Sequence, residues 1–266
     1  MPLPGRARCC ASSSTLNLHA SVAGRFAAEG DGEVRAVFRR SFYLRFPGER
    51  YACVGDASLG RGPLNVLVDD FQLPATGAQV ALSLIGAQLW TPSPLPVNSA
   101  PDVKALKAAA RGRVPSEGLG GLIVDAHNSL SVHAQPGLEA IERWLVGNAL
   151  EDEAATLIGL GPGLTPSGDD YLGGVLIALH QLERKPQAQG LWRWLEPRLA
   201  RTSAISAAHL AAAAAGEGHE ALHRCLDALC TEAPDWAGAL DQLGKVGHVS
   251  GWDSLAGVVA VAPSAR

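Results

Sequence analysis

Residues 159–174 read GLGPGLTPSGDDYLGG, a loop of glycines and prolines that leads into two adjacent acids and then an apolar helix. Glycine permits backbone angles that other residues avoid, whereas Pro162 and Pro166 stiffen the same loop. Ser167 is suited to the N-cap of the helix, and Asp170, three residues on, to the matching position of a capping box. Leucine and valine then recur at helical spacing, so we expect the helix to bury one face.

A second stretch repeats the first at a constant offset (250 − 167 = 83). SGDDYLGGV at 167–175 and SGWDSLAGV at 250–258 share Ser, Gly, Asp, Leu, Gly and Val in matching places. We predict two similar loop–helix motifs whose helix N-termini face each other across one pocket. Asp170 matches Asp253, so both are explained as acids of a first helical turn. Asp169 matches Trp252, has no such counterpart, and is the better candidate for a role beyond capping.

The totals favour a globular protein with a substantial core, because 47% of the 266 residues are apolar and only 18% are charged. A net charge of −4 argues against general nucleic-acid binding. No run approaches the roughly 20 apolar residues of a membrane span, and the N-terminus does not resemble a secretory signal. The cysteines are odd in number and lack paired metal spacing, which favours reduced thiols in the cytoplasm. They are Cys9, Cys10, Cys53, Cys225 and Cys230.

The periodicity predicts an α+β fold in which a strand-rich N-terminal half packs on a helical C-terminal half. We place the strand-rich region at 1–135 and the helical region, with both glycine-rich motif loops, at 136–266. Alternating residues predict strands within 33–54, 65–68 and 79–90, with a last hairpin at 122–125 and 130–133. From Pro136 onwards the apolar period becomes helical. No Pro/Ser-rich linker divides the halves, so we expect them to be in contact.

Two kinds of chemistry suit the motif loops. A helix N-terminus with glycines can bind an anion through backbone amides, which points to Gly161, Gly163, Gly168 and Gly251. Asp169 and Asp170 would repel a phosphate unless one turns away or a divalent cation such as magnesium bridges them. No Lys-Ser/Thr pair follows the glycines, so this is not a Walker loop.

His248 is the candidate for acid/base chemistry, since it lies two residues before Ser250 and five before Asp253, whose carboxylate could fix its tautomer. No G-x-S-x-G motif supports a serine hydrolase. Thr202 and Ser206 either cap the alanine-rich helix or line the pocket. The basic residues Arg35, Arg39, Arg40 and Arg45 are interpreted as a solvated sheet face and receive no role.

The motif residues, together with the segment from Thr202 to Gly216, resemble a family long catalogued as a domain of unknown function. One subunit of oxamate carbamoyltransferase, the H-type subunit, belongs to that family. The likeness covers most of the C-terminal half, and the order of the N-terminal strands and the turn Gly62-Pro-Leu-Asn65 agrees with it. The resemblance implies transfer of a carbamoyl group between carbamoyl phosphate and oxamate, as in allantoin and purine catabolism.

Both of those substrates are anions, yet 159–174 and 247–257 contain no arginine or lysine. The resemblance therefore implies a site completed by other subunits of a hetero-oligomer or a homo-oligomer, or a metal between the acids and the phosphate. In that model Thr165, Ser167 and Ser250 position the substrate, Asp169 and Asp170 hold a cation or order the loop, and His248 shuttles a proton. Two alternatives stay open: a non-catalytic binding or regulatory module for a small carboxylate or phosphate metabolite, and a packing device between repeated helices.

Overall fold

The computed structural model describes residues 15–95, 101–232 and 234–262, and it confirms an α+β fold with a strand-rich N-terminal half and a helical C-terminal half. The strands are β1 (Leu16–His19), β2 (Val22–Gly24), β3 (Gly30–Val37), β4 (Ser41–Phe46), β5 (Arg50–Gly55), β6 (Asn65–Leu67), β7 (Gln79–Ser83) and β8 (Gln88–Trp90). The helices are α1 (Val103–Ala110), α2 (Ser129–Leu145), α3 (Ser167–Gln181), α4 (Lys185–Leu195), α5 (Ala204–Ala214), α6 (Glu220–Leu229), α7 (Trp236–Leu243) and α8 (Ser250–Val261).

The strands form one mixed sheet in the order β1-β7-β3-β4-β5-β6-β2-β8. Residues of β4, in the middle of the sheet, alternate between its two faces, and Phe42 and Leu44 are fully buried in the core of the strand-rich half. The intervening Tyr43 lies on the other face. Tyr43 pairs with Cys53 of β5, which pairs with Asn65 of β6. Side chains directly opposite one another share a sheet face, so these three polar groups lie abreast.

The helical half is built around α3 and α8, the two motif helices, which pack directly against each other. A Cβ placed on Gly174 would lie 2.8 Å from the carbonyl carbon of Ser254, and one placed on Gly257 would lie 3.0 Å from that of Tyr171. Ser254 and Tyr171 are themselves equivalent in the repeat (254 − 83 = 171). The contacts are therefore reciprocal, and the two motifs are related by an approximate two-fold axis. Only glycine allows backbones to approach this closely.

Polar contacts join the two halves, as expected from the absence of a linker. The Arg25 guanidinium lies 2.6 Å from the Glu217 carboxylate, and Arg61 Nε donates to Glu220 over the same distance. Between β4 and α5, Tyr43 Oη lies 2.8 Å from an imidazole nitrogen of His209. These contacts hold the sheet against the helical half.

The hairpin predicted at 122–125 and 130–133 is wrong. Residues Gly120–Val124 form a short 3₁₀ helix, and α2 begins at Ser129 and contains Pro136. The signal for this start is Asn128, whose side chain accepts from the Ser131 amide while the Ser131 hydroxyl accepts from the Asn128 amide. Short apolar runs fit either a strand or a helix, and this cap decides between them. The division at 1–135 and 136–266 stays a prediction, and α2 runs across it.

Three of the cysteines, Cys53, Cys225 and Cys230, are buried free thiols. Cys9 and Cys10 lie outside the described residues. No helix in the described part of the chain combines the length and the apolar character needed to cross a membrane.

Candidate functional site

A cavity of about 950 Å³ lies between the sheet and the helical half. Both motif loops open onto it, and so do Tyr43, Cys53 and Asn65 from the sheet. Nine of the predicted site residues line it: Gly163, Thr165, Ser167, Asp169, Asp170, Ser206, His248, Ser250 and Gly251. Four do not: Gly161, Gly168, Thr202 and Asp253. The helix N-termini lie side by side at the cavity wall, with Thr165 Oγ1 3.1 Å from Ser250 Oγ.

The glycine loop turns the chain sharply into α3. Gly159 and Gly161 have φ of 73° and 111°, values that side chains disfavour. The predicted capping box is absent, because Pro166 occupies the N-cap position without a side-chain hydrogen bond and Ser167 is already the first helical residue. The loop is held by Asp169 instead.

Asp169 connects three segments of the chain. Its Oδ1 accepts from the Gly159 amide (2.9 Å), and its Oδ2 accepts from the hydroxyls of Ser206 (2.8 Å) and Thr202. The residue is only 2% exposed. Asp169 therefore orders the loop, one of the two roles expected for it, and a role in binding or catalysis stays a prediction. Successive helical residues point about 100° apart, so Asp169 faces α5 whereas Asp170 faces α8 and the cavity.

Asp253, the counterpart of Asp170, is fully buried and also has a structural role. Its Oδ1 accepts from the backbone amides of Leu119 (2.6 Å) and Gly120 (3.0 Å). Its pKa is raised to about 6, because desolvation by burial outweighs the opposite effect of the Ser167 hydroxyl and of these two amides. The carboxylate thus fastens the 118–120 turn to the N-terminus of α8.

Asp170 is the acid that the structure leaves available. It lines the cavity, which Asp253 does not, and its buried Oδ2, like that of Asp253, has no hydrogen-bond partner among the described residues. Desolvation raises the pKa of Asp170 well above its ordinary value, and the nearby carboxylates of Asp253 and Asp169 raise it further. The hydroxyls of Ser250 and Thr165 act in the opposite direction. Perturbed protonation in a cavity is typical of a functional group.

The geometry around Asp169 and Asp170 gives little support to a metal bridge between them. Within the described residues no group of three or more His, Cys, Asp or Glu side chains could hold a metal ion. Both oxygens of Asp169 are already engaged by protein donors. A magnesium ion here would depend on oxygens from a substrate or a partner chain.

His248 lies at the rim of the cavity, with its side chain 80% exposed. Its Nε2 is 2.9 Å from Glu117 Oε2, so the carboxylate that orients the imidazole is Glu117 rather than the predicted Asp253. The sequence gives no sign of this pairing, because the two residues are 131 positions apart.

Positive charge reaches the cavity from outside the motifs. Arg39 and Arg40, at the turn between β3 and β4, line it together with Lys245 from the loop before α8. The Arg40 guanidinium donates to the Lys245 carbonyl (3.2 Å). The interpretation of these arginines as a purely solvated face is therefore wrong for Arg39 and Arg40. Two adjacent arginines at a turn are the only local signal, and it does not say which loop they approach.

One more polar pair, formed by Tyr43 and His209, contributes to the cavity wall. Desolvation, together with the smaller effect of nearby His219, lowers the pKa of His209 to about 4. Desolvation likewise raises the pKa of Tyr43 well above its ordinary value. At neutral pH both side chains are therefore uncharged, and they can offer hydrogen bonds without adding charge.

Comparison with known proteins agrees with the motifs. No solved structure matches the chain. Residues 157–262, which carry both motif loops and both motif helices, match the family model described as oxamate carbamoyltransferase subunit AllH.

Proposed function

We propose that the protein is a subunit of a carbamoyltransferase-type complex of the oxamate and carbamoyl phosphate class, with its substrate site in the cavity. One observation carries this proposal: both motif loops of the matched family segment line a single cavity into which Arg39, Arg40 and Lys245 bring positive charge. Two anionic substrates need such charge, and the motifs themselves lack it.

The chemistry proposed for this site is transfer of the carbamoyl group to the amide nitrogen of oxamate. A bond forms between that nitrogen and the carbamoyl carbon, the bond from this carbon to the phosphate oxygen breaks, and the amide proton leaves with the phosphate. In this scheme Arg39, Arg40 and Lys245 neutralise phosphate and carboxylate oxygens. The hydroxyls of Thr165 and Ser250 orient the reacting groups.

His248 remains the proposed proton carrier, with Glu117 holding its imidazole at the mouth of the cavity. Its exposure suits exchange of a proton with solvent. A magnesium ion that bridges Asp169 and Asp170 is a separate hypothesis, and a binding experiment with and without magnesium can test it independently.

Calorimetry with carbamoyl phosphate and with oxamate, each with and without magnesium, tests the proposal. We expect the double variant Arg39→Gln, Arg40→Gln to weaken binding of carbamoyl phosphate by about tenfold or more. Arg35→Gln is the matched control, because Arg35 pairs with Glu33 on the same strand region and does not line the cavity. Heat only in the presence of magnesium would support the metal bridge, and heat without it would contradict that bridge.

Two outcomes would speak against the proposed function. If the arginine double variant and Arg35→Gln lost the same affinity for carbamoyl phosphate, the cavity would not be the substrate site. Retained binding with no turnover in any assembly with partner subunits would instead favour a non-catalytic binding or regulatory module.

A further inference from the structure

The approximate two-fold axis between the motifs allows one acid to be compared with its twin. Asp253 lies near the hydroxyl of Ser167, and Asp170 lies near that of Ser250. Ser167 and Ser250 are equivalent in the repeat, so each acid approaches the serine of the opposite motif. The two carboxylates therefore have matching surroundings on the side that faces the axis.

On the side away from the axis the two acids differ. The Asp253 carboxylate receives two neighbouring N–H groups from the 118–120 turn, both on one oxygen. Within the described residues no backbone amide donates to the Asp170 carboxylate, and Asp170 lines the cavity, which Asp253 does not. Desolvating a carboxylate oxygen that has no donor is costly, which gives a ligand with donors an advantage there.

We infer that Asp170 is the specificity-determining group that binds the N–H end of the ligand, as the Leu119 and Gly120 amides bind Asp253. The ligand class is a small acyl compound with a terminal amide, carbamoyl or ureido NH₂ group and an anionic group at its other end. The inference rests on the proposed function, because the anionic end lies toward Arg39, Arg40 and Lys245. Asp170 would then explain why the site binds an NH₂ group in preference to another group of equal size.

A carboxylate distinguishes NH₂ from its isosteres because it only accepts hydrogen bonds. A ligand methyl group in the same place would leave the Asp170 carboxylate without a hydrogen-bond partner. An ionised carboxylate of the ligand would be repelled by the Asp170 carboxylate. Thr165 and Ser250 contribute to the same wall, with their hydroxyls 3.1 Å apart. These hydroxyls can accept or donate, so the selection depends on Asp170.

The test compares carbamoyl phosphate with acetyl phosphate, in which a methyl group replaces NH₂, by calorimetry on the full chain. We expect wild-type protein to bind carbamoyl phosphate about tenfold or more tighter, the effect of one hydrogen bond to a charged group. Asp170→Asn should bind the two compounds within about twofold of each other, whereas Asp241→Asn, an exposed acid paired with Arg113, should keep the wild-type ratio.

Oxamate and oxalate give a second pair of the same design, because oxalate has a carboxylate in place of the amide. If wild-type protein binds all of these anions without preference, or if Asp170→Asn keeps the full preference, the role of Asp170 is overturned while the anion site stands. If wild-type protein binds none of them, the proposed function fails together with it. Inorganic phosphate binding and the melting temperature of Asp170→Asn show that the variant is folded.

Discussion

Alanine substitution at two adjacent glycines of α3 should have opposite effects on stability. Gly173 and Gly174 follow each other in the same buried helix. A Cβ on Gly173 would have its nearest neighbours at 3.8 Å and 3.9 Å, which are ordinary contacts with Ala213 and Leu210. A Cβ on Gly174 would lie 2.8 Å from the Ser254 carbonyl carbon and closer to its oxygen. The difference between the two positions is the direct approach of α8.

The expected magnitudes follow from these distances. Carbon atoms pack at about 3.5–4.0 Å, so Gly174→Ala must separate α3 from α8 by about 1 Å. Overpacking of this kind costs about 1–3 kcal/mol, and the gap it opens weakens the surrounding contacts, so we expect a net loss of about 2–4 kcal/mol. Gly173→Ala gains helix propensity without a clash and should stabilise by about 0.5–1 kcal/mol.

Urea unfolding followed by circular dichroism measures both variants against the wild type. Gly257→Ala should resemble Gly174→Ala, because it meets the Tyr171 carbonyl at the equivalent place. The double variant should lose less than the sum of the single losses, since the first separation relieves the second clash. If Gly174→Ala were as stable as Gly173→Ala, the close backbone contact between the motif helices would be refuted.

Three further substitutions test the acids and the histidine. Asp169→Asn should lower the free energy of unfolding by about 1–3 kcal/mol, because an amide cannot accept all three hydrogen bonds; an unchanged urea midpoint would contradict this. Asp170→Asn should raise the Tm at neutral pH. The raised pKa means that the wild type loses stability as pH rises through the folded pKa, so this advantage should shrink toward the ordinary pKa of 3.8, and parallel Tm curves would contradict it. His248→Ala should change the unfolding free energy by less than about 0.5 kcal/mol, because the side chain is 80% exposed; a larger loss would show a structural role.

The sequence was most informative where a pattern repeats. The glycine-rich loops, the two motif helices and the strand alternation around Phe42 and Leu44 are each encoded within about ten residues, and each is present in the structure. A local pattern reports the local element because helix and strand periods differ. The region 112–135 shows the limit: its apolar runs are too short to show a period, and only the Asn128 cap marks the start of α2.

The direction of a side chain was harder to predict than the element that carries it. The repeat correctly aligned Asp170 with Asp253, yet it could not show that the turn at 118–120 covers only Asp253. That turn is more than 130 positions away in the chain. The hydrogen bonds of Asp169 could not be predicted for the same reason, because its partners Thr202 and Ser206 lie more than 30 positions away in the chain.

The positive charge of the cavity links the strand-rich half to the proposed chemistry. The family match covers 157–262, which contains Lys245 but neither Arg39 nor Arg40. If the site required only the matched segment, its acids would face two anionic substrates with a single lysine nearby. The β3–β4 turn resolves this imbalance, because it brings two arginines to the cavity that Asp170 also lines, and the Arg40 guanidinium donates to the Lys245 carbonyl. The sheet is therefore best understood as a part of the site, and loss of anion binding on replacing Arg39 and Arg40 is the result that this view requires.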